Sequence, residues 1–136
     1  MATPTPLNNI LWYVVANNGK EFYISYYSLL DKENKLIFET VQRNDSLLSF
    51  SVNQDQLNDI KHFSRDYYCV TQKNDTVIFS DMRFGQLNGW LKPSTPFVFN
   101  FETVKLPGET SEIKQSEFAR FDGAAFGQLL TRIKGK

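Results

Sequence analysis

Asp81 and Arg83 form the pattern with the clearest chemical potential in this sequence, within the segment Ser80-Asp81-Met82-Arg83-Phe84-Gly85. Residues two apart on an extended strand project to the same face, so the carboxylate can hold the guanidinium in place. A guanidinium fixed in this way can bind an anionic ligand. The same spacing fits an ion pair that pins the long loop expected to follow, or two independent loop charges. We predict Asp81 and Arg83 as candidate ligand-binding residues.

His62 and Cys69 are the residues from which a metal site or a nucleophilic triad would have to be built, because the chain has one His and one Cys. A zinc site would then need carboxylates around a single imidazole. The Gly-x-Ser-x-Gly elbow and the phosphate-binding glycine loops are absent. Solvation or a helix dipole explains His62, and Cys69 fits a small buried hydrophobe. We therefore predict no catalytic residue, no metal ligand and no cofactor in this chain.

Aromatic residues crowd the first predicted hairpin and supply two further candidates, Trp12 and Tyr26. Aromatic side chains dominate the energetics of cores and interfaces, so such a surface can line a pocket or contact a partner. The same side chains can also form a core whose hydroxyl groups bond to the backbone. The aromatic residues of this group are Trp12, Tyr13, Tyr23, Tyr26 and Tyr27.

The composition predicts a single soluble domain, with residues 1–6 as a tether or a remnant of expression. The 136 residues are 41% hydrophobic and 15% aromatic, which excludes a disordered chain. Fifteen basic residues balance fifteen acidic ones without a basic stripe, so a nucleic-acid partner is not expected. No apolar run approaches the length of a membrane-spanning helix, and no secretory signal is recognisable.

The strands are predicted from alternating or continuous apolar runs between turn residues. Asn18-Gly19 favours a type I′ turn joining the first two strands in a β-hairpin. A long connection is expected over 82–96, and residues 44–50 fit a short helix or a bent strand. The six expected strands are 11–16, 22–30, 36–41, 67–71, 76–80 and 97–104.

Two helices complete the predicted fold. Asn53 is the expected cap of the first, which runs to about Phe63, with Gln56 at the position that can reach back and a buried stripe of Leu57, Ile60 and Phe63. The second is expected from Asp122 to about residue 134, with Arg132 near the negative end of its dipole. Its apolar stripe is expected to be Phe126, Leu129, Leu130 and Ile133. The fold class is therefore α+β, mainly one antiparallel sheet of about six strands with both helices on one face.

Several segments together resemble the C-terminal region of bacterial membrane-bound metal-dependent hydrolases of the YdjM type. The resemblance covers residues 4–104 and implies that this chain is a soluble tail of a protein tethered to the bacterial inner membrane. The histidines to which metal binding is ascribed in that family lie in a membrane portion absent from this chain, so no ligand can be carried over. The matching segments are Pro4-Thr5-Pro6-Leu7-Asn8-Asn9-Ile10-Leu11-Trp12, Tyr26-Tyr27-Ser28-Leu29-Leu30-Asp31, Phe63-Ser64-Arg65 and Asp81-Met82-Arg83-Phe84-Gly85.

Three functions follow as hypotheses. The resemblance implies a non-catalytic accessory or regulatory domain whose partner is the membrane portion of the parent protein, where a divalent metal would be bound. The alternative is a binding module for a small anion or small molecule, with Arg83 as the anion anchor and Trp12 or Tyr26 as a wall. A self-contained enzyme is the least favoured, because the spacing of Asp81, His62 and the tyrosines gives it no support.

Overall fold

A computed structural model describes residues 1–49, 52–92, 94–104, 108, 110–117 and 123–135. Contacts divide the chain into two compact units, Met1–Val41 with Gly85–Pro96 and Ala119–Lys136, and Gln42–Phe84 with Phe97–Phe118. The elements are β1 (Ala2–Pro4), β2 (Leu11–Asn17), β3 (Glu21–Ser28), β4 (Glu39–Gln42), a 3-10 turn (Asp45–Leu48), α1 (Gln54–Phe63), β5 (Tyr68–Lys73), β6 (Thr76–Gln86), β7 (Phe97–Val104), β8 (Lys114–Gln115) and α2 (Gly123–Ile133).

The α+β class is confirmed, but the expected single sheet of six strands is wrong. The strands form two antiparallel four-stranded sheets, ordered β1-β2-β3-β4 and β5-β6-β7-β8. The two additional strands, β1 and β8, are three and two residues long. They are edge strands held by backbone pairing with a longer neighbour, and such short segments carry no readable hydrophobic period.

Residues 2–4, expected in a tether, pair with β2 from Ala2 opposite Val14 to Pro4 opposite Trp12. The amino terminus of Met1 also donates to the Val15 carbonyl at 2.7 Å. Pro4 is compatible with this strand because β1 lies at the sheet edge, where a missing N–H leaves no bond unmade.

The hairpin of β2 and β3 is confirmed, with Leu11 opposite Ser28 and Asn17 opposite Phe22. Its turn differs from the expected type I′, because Gly19 is the turn residue with positive φ, at 96°. The Asn18 N–H donates to the Glu21 carbonyl at 3.1 Å, so Gly19 and Lys20 are the central residues, as in a type II′ turn. The Asn18 carboxamide oxygen accepts from the N–H groups of Lys20 and Glu21, which fixes Asn18 as the first residue of the turn and not a central one.

The third strand begins at Glu39, later than the expected start at Leu36. Leu36, Ile37 and Phe38 are exposed and have no strand assignment. Apolar type alone had suggested a buried strand, but the three side chains are 41%, 83% and 43% exposed.

α2 is present from Gly123 to Ile133, while its expected cap Asp122 lies outside the described residues. The expected apolar stripe is only partly correct, since Leu129 is buried whereas Phe126 and Leu130 are exposed. Leu129 packs with Leu11 and Trp90 in the core of the first unit. Arg132 lies in the last turn of the helix, as expected from the helix dipole, and it is also one of the buried residues of α2.

In the second unit, α1 has the predicted cap, because the Asn53 side chain accepts from the Gln56 N–H at 3.0 Å. Gln56 does not reach back, since its side-chain oxygen accepts from the Ile113 N–H. Leu57 and Ile60 are buried as expected, whereas Phe63 at the end of the helix is 47% exposed. The two buried residues share a core with Val52, Tyr68, Val70, Val77 and Phe79. The two helices thus belong to separate cores, and the expectation that both cover one sheet face is wrong.

Cys69 lies in β5 and is a buried free thiol, as predicted. Burial raises the pKa of this thiol to about 12. We expect native protein at pH 8 to resist labelling by iodoacetamide, whereas urea-unfolded protein reacts fully. Because the unfolded thiol loses its proton first, the free energy of unfolding should fall as pH rises from 9.0 to about 12. Complete labelling of the native protein within minutes would contradict the buried position.

Candidate functional site

Asp81 and Arg83 bond to each other within β6, on the face that the alternation predicted. Arg83 Nη2 lies 2.7 Å from Asp81 Oδ2, and Nε lies 3.0 Å from Oδ1. Asp81 is fully buried, and its Oδ1 also accepts from the Arg83 backbone N–H at 3.0 Å. These bonds raise the pKa of Arg83 above its ordinary value. The pair lies inside a strand that continues to Gln86, not at the start of the expected loop.

The Arg83 guanidinium contacts two half-exposed aromatic rings, with its carbon 5.0 Å from the centroid of Phe63 and 5.5 Å from that of Phe84. Both rings in turn contact Phe99, at centroid distances of 5.8 and 5.0 Å. Asp81 neutralises the cation, and the centroids of both rings lie within 5.5 Å of the guanidinium carbon. The arrangement fixes Arg83 tightly, and binding of an anion there stays a prediction.

Trp12 and Tyr26, the other two predicted site residues, belong to the first unit, whereas Asp81 and Arg83 belong to the second. The register pairs Trp12 with Tyr27 and Tyr26 with Tyr13. Because directly opposed residues of an antiparallel pair share a face, Trp12 and Tyr26 lie on opposite faces of the sheet. The two side chains therefore do not form walls of one pocket.

The first unit contains an open cleft of about 860 Å³. Strand β3 supplies one wall, the segment from Asp31 to Glu39 forms a second, and residues 86–91 with Arg132 complete it. Tyr26 is the one predicted site residue in the lining. The lining residues are Ile24, Ser25, Tyr26, Asp31, Lys32, Glu33, Lys35, Ile37, Phe38, Glu39, Gln86, Gly89, Trp90, Leu91 and Arg132.

A buried ion pair anchors one end of the 31–39 segment. Arg132 Nη1 and Nη2 donate to the two carboxylate oxygens of Asp31 at 2.7 and 2.9 Å. Arg132 Nη2 also donates to the Tyr26 carbonyl at 3.0 Å, and Asp31 Oδ2 accepts from the Ser28 N–H at 2.9 Å. Arg132 thereby joins α2 to both β3 and the beginning of the segment.

The other end of the segment is also fixed. Glu39 accepts hydrogen bonds from the N–H and the hydroxyl of Ser94. The Ser25 hydroxyl donates to the Ile37 carbonyl at 2.8 Å. The Ile37 backbone is therefore held against β3 while its side chain stays in solvent.

Tyr26, Gln86 and Gly89 meet in the wall beside Trp90. The Tyr26 hydroxyl oxygen accepts from the Gln86 N–H at 3.2 Å, and burial raises the pKa of this phenol. The Gln86 side-chain amide donates to the Thr95 carbonyl at 3.1 Å. A Cβ at position 89 would collide with the Tyr26 hydroxyl and the Gln86 side chain, so this packing requires glycine.

The mouth of the cleft is apolar and its rim is charged. Ile37, Phe38 and Leu91 are 83%, 43% and 41% exposed. The charged residues Lys32, Glu33 and Lys35 are also exposed. Sequence reasoning missed this site because Leu36-Ile37-Phe38 resembled a strand. The one available signal was the run of charges directly before it, which a buried strand would not favour.

Within the part of the chain that the structure describes, no three His, Cys, Asp or Glu side chains group as a metal site would require. Neither described helix has the length and apolar character needed to cross a bilayer.

Comparison of the chain with protein-family models, with curated proteins and with solved structures finds no match.

Proposed function

We propose that this protein is a non-catalytic binding module that takes a small molecule with an apolar body in the cleft of its first unit. The observation that carries the proposal is the exposure of Ile37, Phe38 and Leu91 around one concavity. Exposed apolar side chains that gather at one site, unlike scattered ones, mark binding surfaces.

The dimensions and composition of the cleft support the same function. Small-molecule sites in proteins occupy about 300–1,000 Å³ and combine apolar walls with a few polar groups. Here Ile24, Trp90 and Phe38 supply apolar surface, and the volume of about 860 Å³ falls in that range.

The anchored wall lowers the cost of binding. Hydrogen bonds that Asp31 accepts from Arg132 and that Glu39 accepts from Ser94 hold both ends of the segment that carries Ile37 and Phe38. A binding surface already ordered in the free protein loses less conformational entropy when a ligand arrives.

We expect the neutral fluorophore N-phenyl-1-naphthylamine to bind with saturation, and Phe38→Ala to weaken it by roughly tenfold, because an apolar contact is lost. The matched control is Phe126→Ala, since Phe126 is 42% exposed against 43% for Phe38 but does not line the cleft. Fluorescence titration measures both affinities. Absence of saturable binding, or equal effects of the two variants, would refute the proposal.

A role beside a membrane-bound hydrolase is a second proposal, supported by the quoted segments that resemble the YdjM-type proteins. In this role the chain would regulate or present substrate to a metal-binding membrane portion. Deletion of residues 7–136 from a full-length protein should then reduce its activity, and unchanged activity would argue against the role.

Anion binding at Arg83 is a third proposal and concerns a different site. Its support is the fixed guanidinium of Arg83. Its Nε and Nη2 donate to Asp81, and it lies beside the rings of Phe63 and Phe84. Arg83→Lys is the suitable probe, because it keeps the positive charge while removing the forked geometry. A phosphate-induced rise in melting temperature that this variant abolishes would support the site.

A further inference from the structure

Leu7 is 87% exposed, more than any other large apolar side chain that the structure describes, and it lies in a turn that favours glycine. The Asn8 N–H donates to the Thr5 carbonyl at 3.4 Å, so Pro6 and Leu7 are the central residues of this turn. Leu7 has a φ of 65°, as the third residue of a type II turn requires. Gly or Asn is usual there, because a bulky side chain strains the backbone at positive φ. Neither packing nor turn geometry accounts for a leucine at this position.

Two further exposed leucines lie at the same end of the first sheet. Leu29 and Leu30 follow directly after β3 and are 61% and 53% exposed. The Leu29 N–H donates to the Ile10 carbonyl at 2.9 Å, which joins this loop to the loop that carries Leu7. Trp12 is half-buried and follows the Leu7 loop near the start of β2. Three exposed leucines and an indole therefore belong to two loops that meet at one end of the sheet.

The Leu7 loop supplies hydrogen-bond partners to its own backbone. The Asn8 side-chain nitrogen donates to the carbonyl groups of Thr5 and Pro6. The Asn8 side-chain oxygen accepts from the N–H groups of Ile10 and Leu11 at 3.0 and 2.7 Å. A backbone group that leaves water without a partner is costly in an apolar phase. A loop whose polar groups are already paired can enter such a phase at a lower cost.

We propose that this end of the first unit inserts its exposed leucines into the surface of a phospholipid bilayer. Burial of the three leucine side chains at the acyl boundary drives the contact. The Trp12 indole N–H donates to the Asn9 carbonyl at 3.0 Å, and indole rings favour the headgroup level of a bilayer. The contact requires no positive surface. It is also separate from the function proposed above, since none of the three leucines is among the residues that line the cleft.

Sedimentation of the whole chain with phosphatidylcholine vesicles measures this binding. We expect Leu7→Gly to lower the partition coefficient by roughly tenfold, because a leucine side chain no longer enters the bilayer. The same variant should keep or raise the melting temperature, since glycine adopts the positive φ of position 7 without strain. A merely structural role for Leu7 would lower the melting temperature instead.

Ile37→Ala is the matched control, because Ile37 is 83% exposed in the same unit but lies at the mouth of the cleft. It should leave vesicle binding unchanged, whereas Leu29→Ala/Leu30→Ala should weaken it as Leu7→Gly does. Binding should persist at about 0.5 M NaCl, since salt screens charges but not apolar burial. Brominated phosphatidylcholine should quench the fluorescence of Trp12 and not that of Trp90, which is 6% exposed in the core. The Trp12→Phe variant should therefore lose the quenched component.

Absence of binding to the vesicles would overturn the proposal, as would equal effects of Ile37→Ala and Leu7→Gly. Loss of binding at high salt would also overturn it, because the contact would then depend on charge. Sedimentation velocity without lipid tests a second copy of the chain as the occupant. A dimer that Leu7→Gly dissociates would assign the leucines to self-association and overturn the proposal, whereas a monomer in both proteins supports it.

Discussion

Arg83→Ala is expected to lower the free energy of unfolding by about 3 kcal/mol, because it leaves a buried carboxylate without its counter-charge. Asp81 is 0% exposed, and among the described residues its carboxylate would keep only the bond from the backbone N–H of residue 83. Urea denaturation at pH 7 measures the change. Lys73→Ala is the control, since this exposed lysine of β5 should change stability by at most about 0.5 kcal/mol.

Replacing Asp81 instead of Arg83 tests whether burial of the carboxylate decides the stability of the pair. The Arg83 side chain is 19% exposed, so after Asp81→Asn the guanidinium can turn toward water. Asp81→Asn should therefore cost less than Arg83→Ala. Equal costs, or an Arg83→Ala variant as stable as the parent, would show that burial of Asp81 does not decide the stability of the pair.

Arg132→Ala should also destabilise by about 3 kcal/mol, because both Asp31 oxygens and the Tyr26 carbonyl lose a donor. Arg132→Ala should also disturb the wall of the cleft, since the 31–39 segment loses the ion pair that fixes one of its ends. We expect weaker binding of N-phenyl-1-naphthylamine at temperatures where the variant is still folded. Lys134→Ala, an exposed position next to the same helix, serves as control for both readouts.

A double-mutant cycle separates the pair from its surroundings. Asp31→Ala/Arg132→Ala should cost clearly less than the sum of the two single variants, because no buried charge is left alone. Urea denaturation of the four proteins gives the coupling energy. Additive costs would mean that Arg132 stabilises the first unit only through its bond to the Tyr26 carbonyl and its packing.

The parts of this protein that follow from sequence are those governed by neighbours along the chain. The Asn53 cap, the hairpin of β2 and β3 and the contact between Asp81 and Arg83 each depend on residues close in sequence. Turn chemistry, capping and strand alternation describe such contacts directly. The error at Asn18-Gly19 was a shift of one residue within a correctly placed turn.

The tertiary structure alone decided how the elements combine and where the cleft lies. Arg132 and Asp31 are 101 residues apart, and the Ile37 carbonyl accepts a hydrogen bond from Ser25 of β3, 12 residues away. A hydrophobic period shows which face of an element is apolar, but not which other element covers it. The sequence therefore determined that strands and helices with apolar faces are present. Long-range packing decided that the strands form two sheets and that Ile37 and Phe38 stay uncovered at the mouth of a cleft.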